Sequence, residues 1–117
     1  MAIEFSEFAL AEKFAVEYVD QFGFLWEWER WYSRLSNIWT LDIDGRVYDR
    51  IRAICEAESK RCEDASMATH LASWHTVKGV EHLARLSMRL ETEDRRPYRI
   101  GEFRPPEYIS ARSMRHD

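Results

Sequence analysis

The sequence contains few of the residues on which disulfide-stapled, metal-dependent or membrane-spanning proteins depend. Among its 117 residues are two cysteines, four glycines and three prolines. No apolar run approaches the 18 residues that a membrane-spanning helix needs, and no charged-then-apolar leader opens the chain. The length is sufficient for one hydrophobic core without covalent staples. These features exclude a disulfide miniprotein and predict a cytoplasmic protein that does not bind to a membrane.

The two cysteines are expected to be reduced thiols. Cys55 and Cys62 lie seven residues apart within one predicted helix. Two helical turns separate their Cα atoms by about 10 Å, which is beyond the reach of a disulfide. Small buried hydrophobic side chains are the favoured interpretation of both.

Motifs of catalysis and cofactor binding are absent as well. The chain has no Cys-x-x-Cys, His-Glu-x-x-His, Gly-x-Ser-x-Gly or phosphate-cradling glycine motif. His75 and His82 are two helical turns apart, too distant to share a zinc ion, and His70 has no chelating partner at a fixed spacing. Asp42 and Asp44 are better explained by a helix start than by a calcium loop. We therefore expect a protein that is not an enzyme and holds neither metal nor cofactor.

Charge is unevenly divided along the chain. The whole sequence carries 17 Lys and Arg against 21 Asp and Glu, a net charge of −4. Residues 1–94 hold 11 basic and 18 acidic residues, whereas residues 95–117 hold six arginines, three acidic residues and all three prolines. This change of composition predicts a single compact domain over residues 1–92 and a basic, Pro-containing extension over residues 93–117. The extension is either a loosely ordered terminus or a binding arm.

Apolar periodicity predicts a fold that begins with a helix. The spacing indicates a helix over residues 7–22, with Ser6 as N-cap and Gly23 just past the C-terminus. Its apolar stripe comprises Phe8, Ala11, Phe14, Ala15, Tyr18, Val19 and Phe22. A second helix is predicted over residues 46–62. A last one over residues 74–90 has Ser73 as N-cap, an apolar stripe that includes Leu86, and Gly79 at a close helix crossing.

Four of the five tryptophans lie between the first two predicted helices. Aromatic density and alternation over residues 24–41 predict two or three short antiparallel strands, with a break at residues 35–37. The tryptophans are better explained as core than as a stacking platform for bases or sugars. The fold class is therefore α+β and mainly helical. It comprises an N-terminal helix, a small Trp-rich antiparallel β-meander, two to three packed helices and a Pro- and Arg-containing tail.

Several short segments occur in an order that resembles a known family. They are Leu-Ala-Glu-Lys-Phe-Ala at residues 10–15, Arg-Trp-Tyr at 30–32, Ile-Trp at 38–39 with Asp42, and helical segments at 50–57, 71–77 and 80–86. This order resembles the small domain that precedes the helicase motor in phage and plasmid primase-helicases, including the poxvirus-type enzymes. The resemblance spans about residues 8–90. It implies a non-catalytic connector, since priming and ATP hydrolysis belong to neighbouring domains in that family.

Two functional hypotheses follow. The first is a non-enzymatic replication module of a phage or other mobile element that docks a primase or helicase. In this hypothesis the tail contacts DNA phosphates through Arg95, Arg96, Arg99 and Arg104. The alternative is an acidic interaction protein that inhibits a host nucleic-acid-processing or defence complex, with a homodimer as a further option. Its candidate contacts are Glu12, Glu17, Asp20, Glu27 and Glu29.

Overall fold

The computed structural model describes residues 6–36, 38–90 and 107–110. Its elements are α1 (Glu7–Tyr18), β1 (Phe22–Leu25), β2 (Arg30–Leu35), β3 (Ile38–Leu41), α2 (Arg46–Arg61), α3 (Ala65–Leu71), α4 (Trp74–Ser87), β4 (Arg89–Leu90) and β5 (Tyr108–Ser110). The predicted α+β class is confirmed. An N-terminal helix precedes a three-stranded Trp-rich antiparallel meander, and three helices follow.

The meander is the centre of a five-stranded sheet with the order β4-β1-β2-β3-β5. β1 and β2 pair antiparallel, as do β2 and β3, and the turn between β2 and β3 has Ser36 in the left-handed region at a φ of 60°. β4 adds parallel to β1, and β5 adds antiparallel to β3. The sheet edges are therefore supplied by residues far along the chain from the meander.

Two apolar clusters form because alternate side chains of a strand point to opposite faces. Phe24 and Trp31 belong to the larger cluster, which α1, α2 and α4 complete with residues such as Phe14. Their sequence neighbours Leu25 and Tyr32 belong to a smaller cluster that also includes Trp39 and Leu90. Trp31 and Trp39 are both buried, as the predicted packing role requires, whereas Trp26 in the turn after β1 is 38% exposed.

Local capping signals explain where the helices begin. The hydroxyl of Ser6 accepts a hydrogen bond from the Ala9 amide, and that of Ser73 accepts one from the Thr76 amide, as predicted. The carboxylate of Asp42 accepts from two amides in the first turn of α2, with Gly45 at the N-cap position in the left-handed region. These interactions satisfy amides that have no partner within their own helix.

The first helix is shorter than its apolar stripe predicts. α1 ends at Tyr18, whose carbonyl accepts from the Gln21 amide in the following turn. Gly23, predicted as the residue just past the helix, lies instead inside β1. A Cβ atom there would lie 2.5 Å from Cδ1 of Leu90, so the position accommodates the packing of β4 against β1. The helical spacing of apolar residues extends to Phe22 because this strand residue faces the same core as the helix. The spacing alone therefore does not show where the helix ends.

The last helix also ends earlier than predicted. α4 stops at Ser87, and the next residues turn so that Arg89 and Leu90 form β4. Leu86 and Phe8, both assigned to apolar stripes, are 70% exposed. Gly79 does lie at a close approach, since a Cβ atom there would be 2.6 Å from the Glu7 carboxyl carbon on α1. Among the described residues, no helix combines the length and apolar content needed to cross a bilayer.

Candidate functional site

Helix α1 has one buried and one outward-facing side. Leu10, Ala11, Phe14 and Ala15 pack into the larger cluster. The opposite side carries Ala9, Glu12, Lys13, Val16 and Glu17, which line an open groove of about 570 Å³. We call this surface the α1 groove.

The α1 groove combines an exposed apolar side chain with negative charge. Val16 is 77% exposed and supplies the apolar contact of this surface. Glu12 and Glu17 flank it and are both exposed. Within the described part of the chain, neither carboxylate forms an ion pair. The groove therefore presents two uncompensated charges beside an apolar contact.

Among the described residues that line the groove, Lys13 is the one cation, and it forms an ion pair with a buried carboxylate. The ammonium group of Lys13 donates to the carboxylate of Glu58 on α2 at 2.5 Å, and Arg61 donates to the same carboxylate at 2.7 Å. Burial raises the pKa of Glu58, but the hydrogen bonds from Lys13 and Arg61 outweigh it and hold the pKa below its ordinary value. Lys13 therefore makes its ion pair with Glu58, and the described residues show no ion pair between Lys13 and Glu12 or Glu17.

The other predicted acidic contacts lie elsewhere. Asp20 is in the turn after α1, while Glu27 and Glu29 are in the turn between β1 and β2. All three are exposed, and Glu29 lines a second cavity rather than the α1 groove. The structure therefore brings Glu12 and Glu17 together and separates them from Glu29. The four predicted DNA contacts, Arg95, Arg96, Arg99 and Arg104, lie outside the described residues.

The second cavity has a volume of about 310 Å³ and adjoins a buried polar network that sequence reasoning missed. Glu81 of α4 is 2% exposed. One of its carboxylate oxygens accepts from Trp31 Nε1 at 2.8 Å and Arg85 Nε at 2.5 Å. The other accepts from the Tyr48 hydroxyl at 2.9 Å and Arg85 Nη2 at 3.1 Å. Four donors therefore satisfy one buried carboxylate.

The network shifts the ionisation of its members. Burial raises the pKa of Glu81, but hydrogen bonds from Arg85, Trp31 and Tyr48 outweigh it, so the pKa lies below its ordinary value. The hydrogen bond to Glu81 raises the pKa of Arg85. Burial and the nearby carboxylate raise the pKa of Tyr48. The guanidinium carbon of Arg85 also lies 4.6 Å from the ring centre of Phe24, a cation–π contact.

The polar groups of this network are hydrogen-bonded within the fold. The donors of Arg85 and Tyr48 that reach Glu81 are committed to that carboxylate, and the Asp42 carboxylate at the cavity wall caps α2. One signal in the sequence pointed to Glu81: it lies four residues from both Val77 and Arg85. That spacing places it on the buried face of α4 and within reach of a cation on the same helix.

The histidines and cysteines form no further site in the part of the chain that the structure describes. No three His, Cys, Asp or Glu side chains there lie close enough together to hold a metal ion. The rings of His70 and His75 are 6.4 Å apart. Cys55 and Cys62 are free thiols, and burial raises the pKa of Cys55 to about 11.

A scan against protein families, a search of curated proteins and a search of solved structures each match nothing. The α1 groove is therefore the candidate site, on its geometry and charge alone.

Proposed function

We propose that this chain is a non-enzymatic docking module of a phage or mobile-element replication system, which binds a primase or helicase in the cytoplasm. The observation that carries the docking role is the α1 groove, where exposed Val16 lies between the uncompensated charges of Glu12 and Glu17. An apolar contact flanked by acids fits a positively charged amphipathic segment of a partner protein. The replication context rests on the family resemblance of residues 8–90.

A capture experiment with matched charge variants tests this proposal. The full chain is immobilised and exposed to the primase-helicase of the same mobile element and, separately, to host lysate. We expect the primase-helicase to be retained and the double variant Glu12→Lys/Glu17→Lys to lose it. The control Asp49→Lys/Glu63→Lys makes the same change of net charge at exposed positions on and after α2. Retention that both double variants abolish equally would indicate nonspecific charge attraction and contradict the proposal.

The same experiment separates the alternative role. Both hypotheses use acidic contacts, so the identity of the retained protein distinguishes them. A host nucleic-acid-processing or defence protein, retained by the wild type and the control but not by Glu12→Lys/Glu17→Lys, would favour the inhibitor. If neither a host protein of this kind nor the primase-helicase is retained by the wild type, both hypotheses are rejected.

Contact with DNA through the tail is a separate part of the proposal. Arg95, Arg96, Arg99 and Arg104 are expected to neutralise phosphates, so binding should weaken steeply as salt concentration rises. Fluorescence anisotropy of labelled single- and double-stranded DNA at two salt concentrations measures this dependence. Replacing the four arginines with alanine should flatten it. An unchanged slope would remove the tail from the proposal.

A further inference from the structure

A second uncovered surface lies on the sheet, away from the α1 groove. Leu35 pairs with Ile38 across β2 and β3, and Thr40 of β3 pairs with Tyr108 of β5. Paired residues share a face, as do residues two apart on a strand, so these four side chains lie on one face. Leu35 is 77% exposed, Tyr108 68% and Ile38 45%.

The helices leave this part of the sheet open because they pack on its other half. On the same face, Phe24 of β1 and Trp31 of β2 are buried in the larger cluster against α1, α2 and α4. Side chains on this face are buried at Phe24 and Trp31 but are exposed at the outer end of β2 and on β3 and β5. Within the described part of the chain, no helix covers the apolar side chains there.

The exposed surface continues into the loop after β3. Ile43 is exposed and lines, with Leu35 and Thr40, a groove of about 230 Å³. Leu35, Ile38, Ile43 and Tyr108 therefore form a contiguous surface, which we call the β3–β5 patch. Neighbouring exposed apolar side chains, unlike singly scattered ones, are typical of interaction sites.

The charges at the patch favour a second copy as its occupant. Asp44 and Arg46, both exposed, line the same groove as Ile43, with the carboxylate and guanidinium groups 4.0 Å apart. A surface that carries both signs beside an apolar centre can be complementary to itself across a two-fold axis. The α1 groove differs in this respect, because two copies of that acidic surface would repel each other.

We propose that the β3–β5 patch is a homodimer interface, in which the apolar side chains of two copies pack face to face across a two-fold axis. This interface is independent of the proposed docking function and uses a different surface.

Sedimentation equilibrium of the full chain tests the interface. We expect a dimer at roughly 100 µM protein, in the range of a small interface. Leu35→Glu and Ile38→Glu should each weaken self-association by about tenfold or more, because they bury a charge against apolar side chains. Leu86→Glu introduces the same charge at a 70% exposed leucine on α4 and should leave the dimer intact. Circular dichroism confirms that each variant is folded.

The charged groups provide a second, sign-dependent test. Asp44→Arg should weaken the dimer because it leaves like charges facing each other, and adding Arg46→Asp should restore it. A wild type that remains monomeric at roughly 100 µM would overturn the proposal. So would a Leu86→Glu variant that dissociates as readily as Leu35→Glu, or an Asp44→Arg variant that associates as strongly as the wild type.

Discussion

The indole Nε1 of Trp31 lies 2.8 Å from the carboxylate of Glu81 and joins the centre of the sheet to the last helix. Both side chains are buried, so the hydrogen bond is shielded from water. The partners are 50 residues apart in sequence, and the bond therefore depends on the assembled fold. It belongs to the four-donor network that fixes α4 over β2 and α2.

Glu81→Gln should be strongly destabilising. Arg85, only 21% exposed at its side chain, would lose its counter-charge, and we expect a loss of about 2–4 kcal/mol in the free energy of unfolding. The exposed pair Arg52–Glu56 has the same four-residue spacing and provides the control. Glu56→Gln should cost less than about 0.5 kcal/mol. Urea unfolding measures both, and equal losses would show that burial does not strengthen the network.

Stability should fall in acid because of the two buried carboxylates. The pKa values of Glu81 and Glu58 both lie below their ordinary value of 4.5. Each therefore contributes stability that is present above about pH 4.5 and is lost as pH falls through its folded-state pKa. Urea unfolding across this range measures the loss. Glu81→Gln should make the dependence shallower, and an unchanged slope would show that Glu81 does not titrate with folding.

The same glycine-to-alanine change should have different effects at two positions. Gly23→Ala places a methyl group against the side chain of buried Leu90 between two strands, which should cost about 1–3 kcal/mol. Gly79→Ala meets only the end of the flexible Glu7 side chain and adds helix propensity of about 1 kcal/mol. We expect a loss of thermal stability for the first and little change or a gain for the second. The reverse order would contradict the assigned packing.

The two thiols should react at different rates. Cys55 is fully buried with a pKa raised to about 11, whereas Cys62 is partly exposed at the end of α2. Near pH 8, a thiol reagent should modify Cys62 first and reach Cys55 only on unfolding, because the thiolate is the reactive form. Cys62→Ser should remove the fast reaction. Fast modification of one thiol in that variant would show that Cys55 is accessible.

The raised pKa of Cys55 also predicts a loss of stability in alkali. The folded chain favours the neutral thiol, so its contribution is present below the ordinary pKa of 9.0 and is lost as pH rises towards about 11. Unfolding measured across that range should show a decline that Cys55→Ala reduces. An equal decline in the variant would assign the effect to other groups such as Tyr48.

Features with a local signal were predictable from the sequence. The spacing of Val47, Ile51, Cys55 and Glu58 predicts α2 almost to its observed bounds, because all four are on one buried face. Ser6 and Ser73 mark helix starts by hydrogen bonds to amides three residues away. The exposure of Glu12 and Glu17 is likewise what charged helix positions favour.

Features that depend on distant partners were not predictable in this way. β4 and β5 are two and three residues long, too short for a periodicity, and exist because β1 and β3 offer edges for pairing. The helical pattern at Phe22 continues into a strand because both elements face the same core. From the sequence alone, Glu81 is a polar helix residue. Its role as a buried acceptor depends on Trp31 and Tyr48, which only the tertiary fold places beside it.

The late position of β5 in the sequence affects how the sheet is completed during synthesis. The meander and all four described helices leave the ribosome before residues 108–110, which pair with β3. Until then the outer edge of β3 lacks the strand that covers it in the folded protein. An unpaired strand edge is a template for aggregation, so the nascent chain is most vulnerable in this interval. Fast translation of residues 91–107 would shorten that exposure.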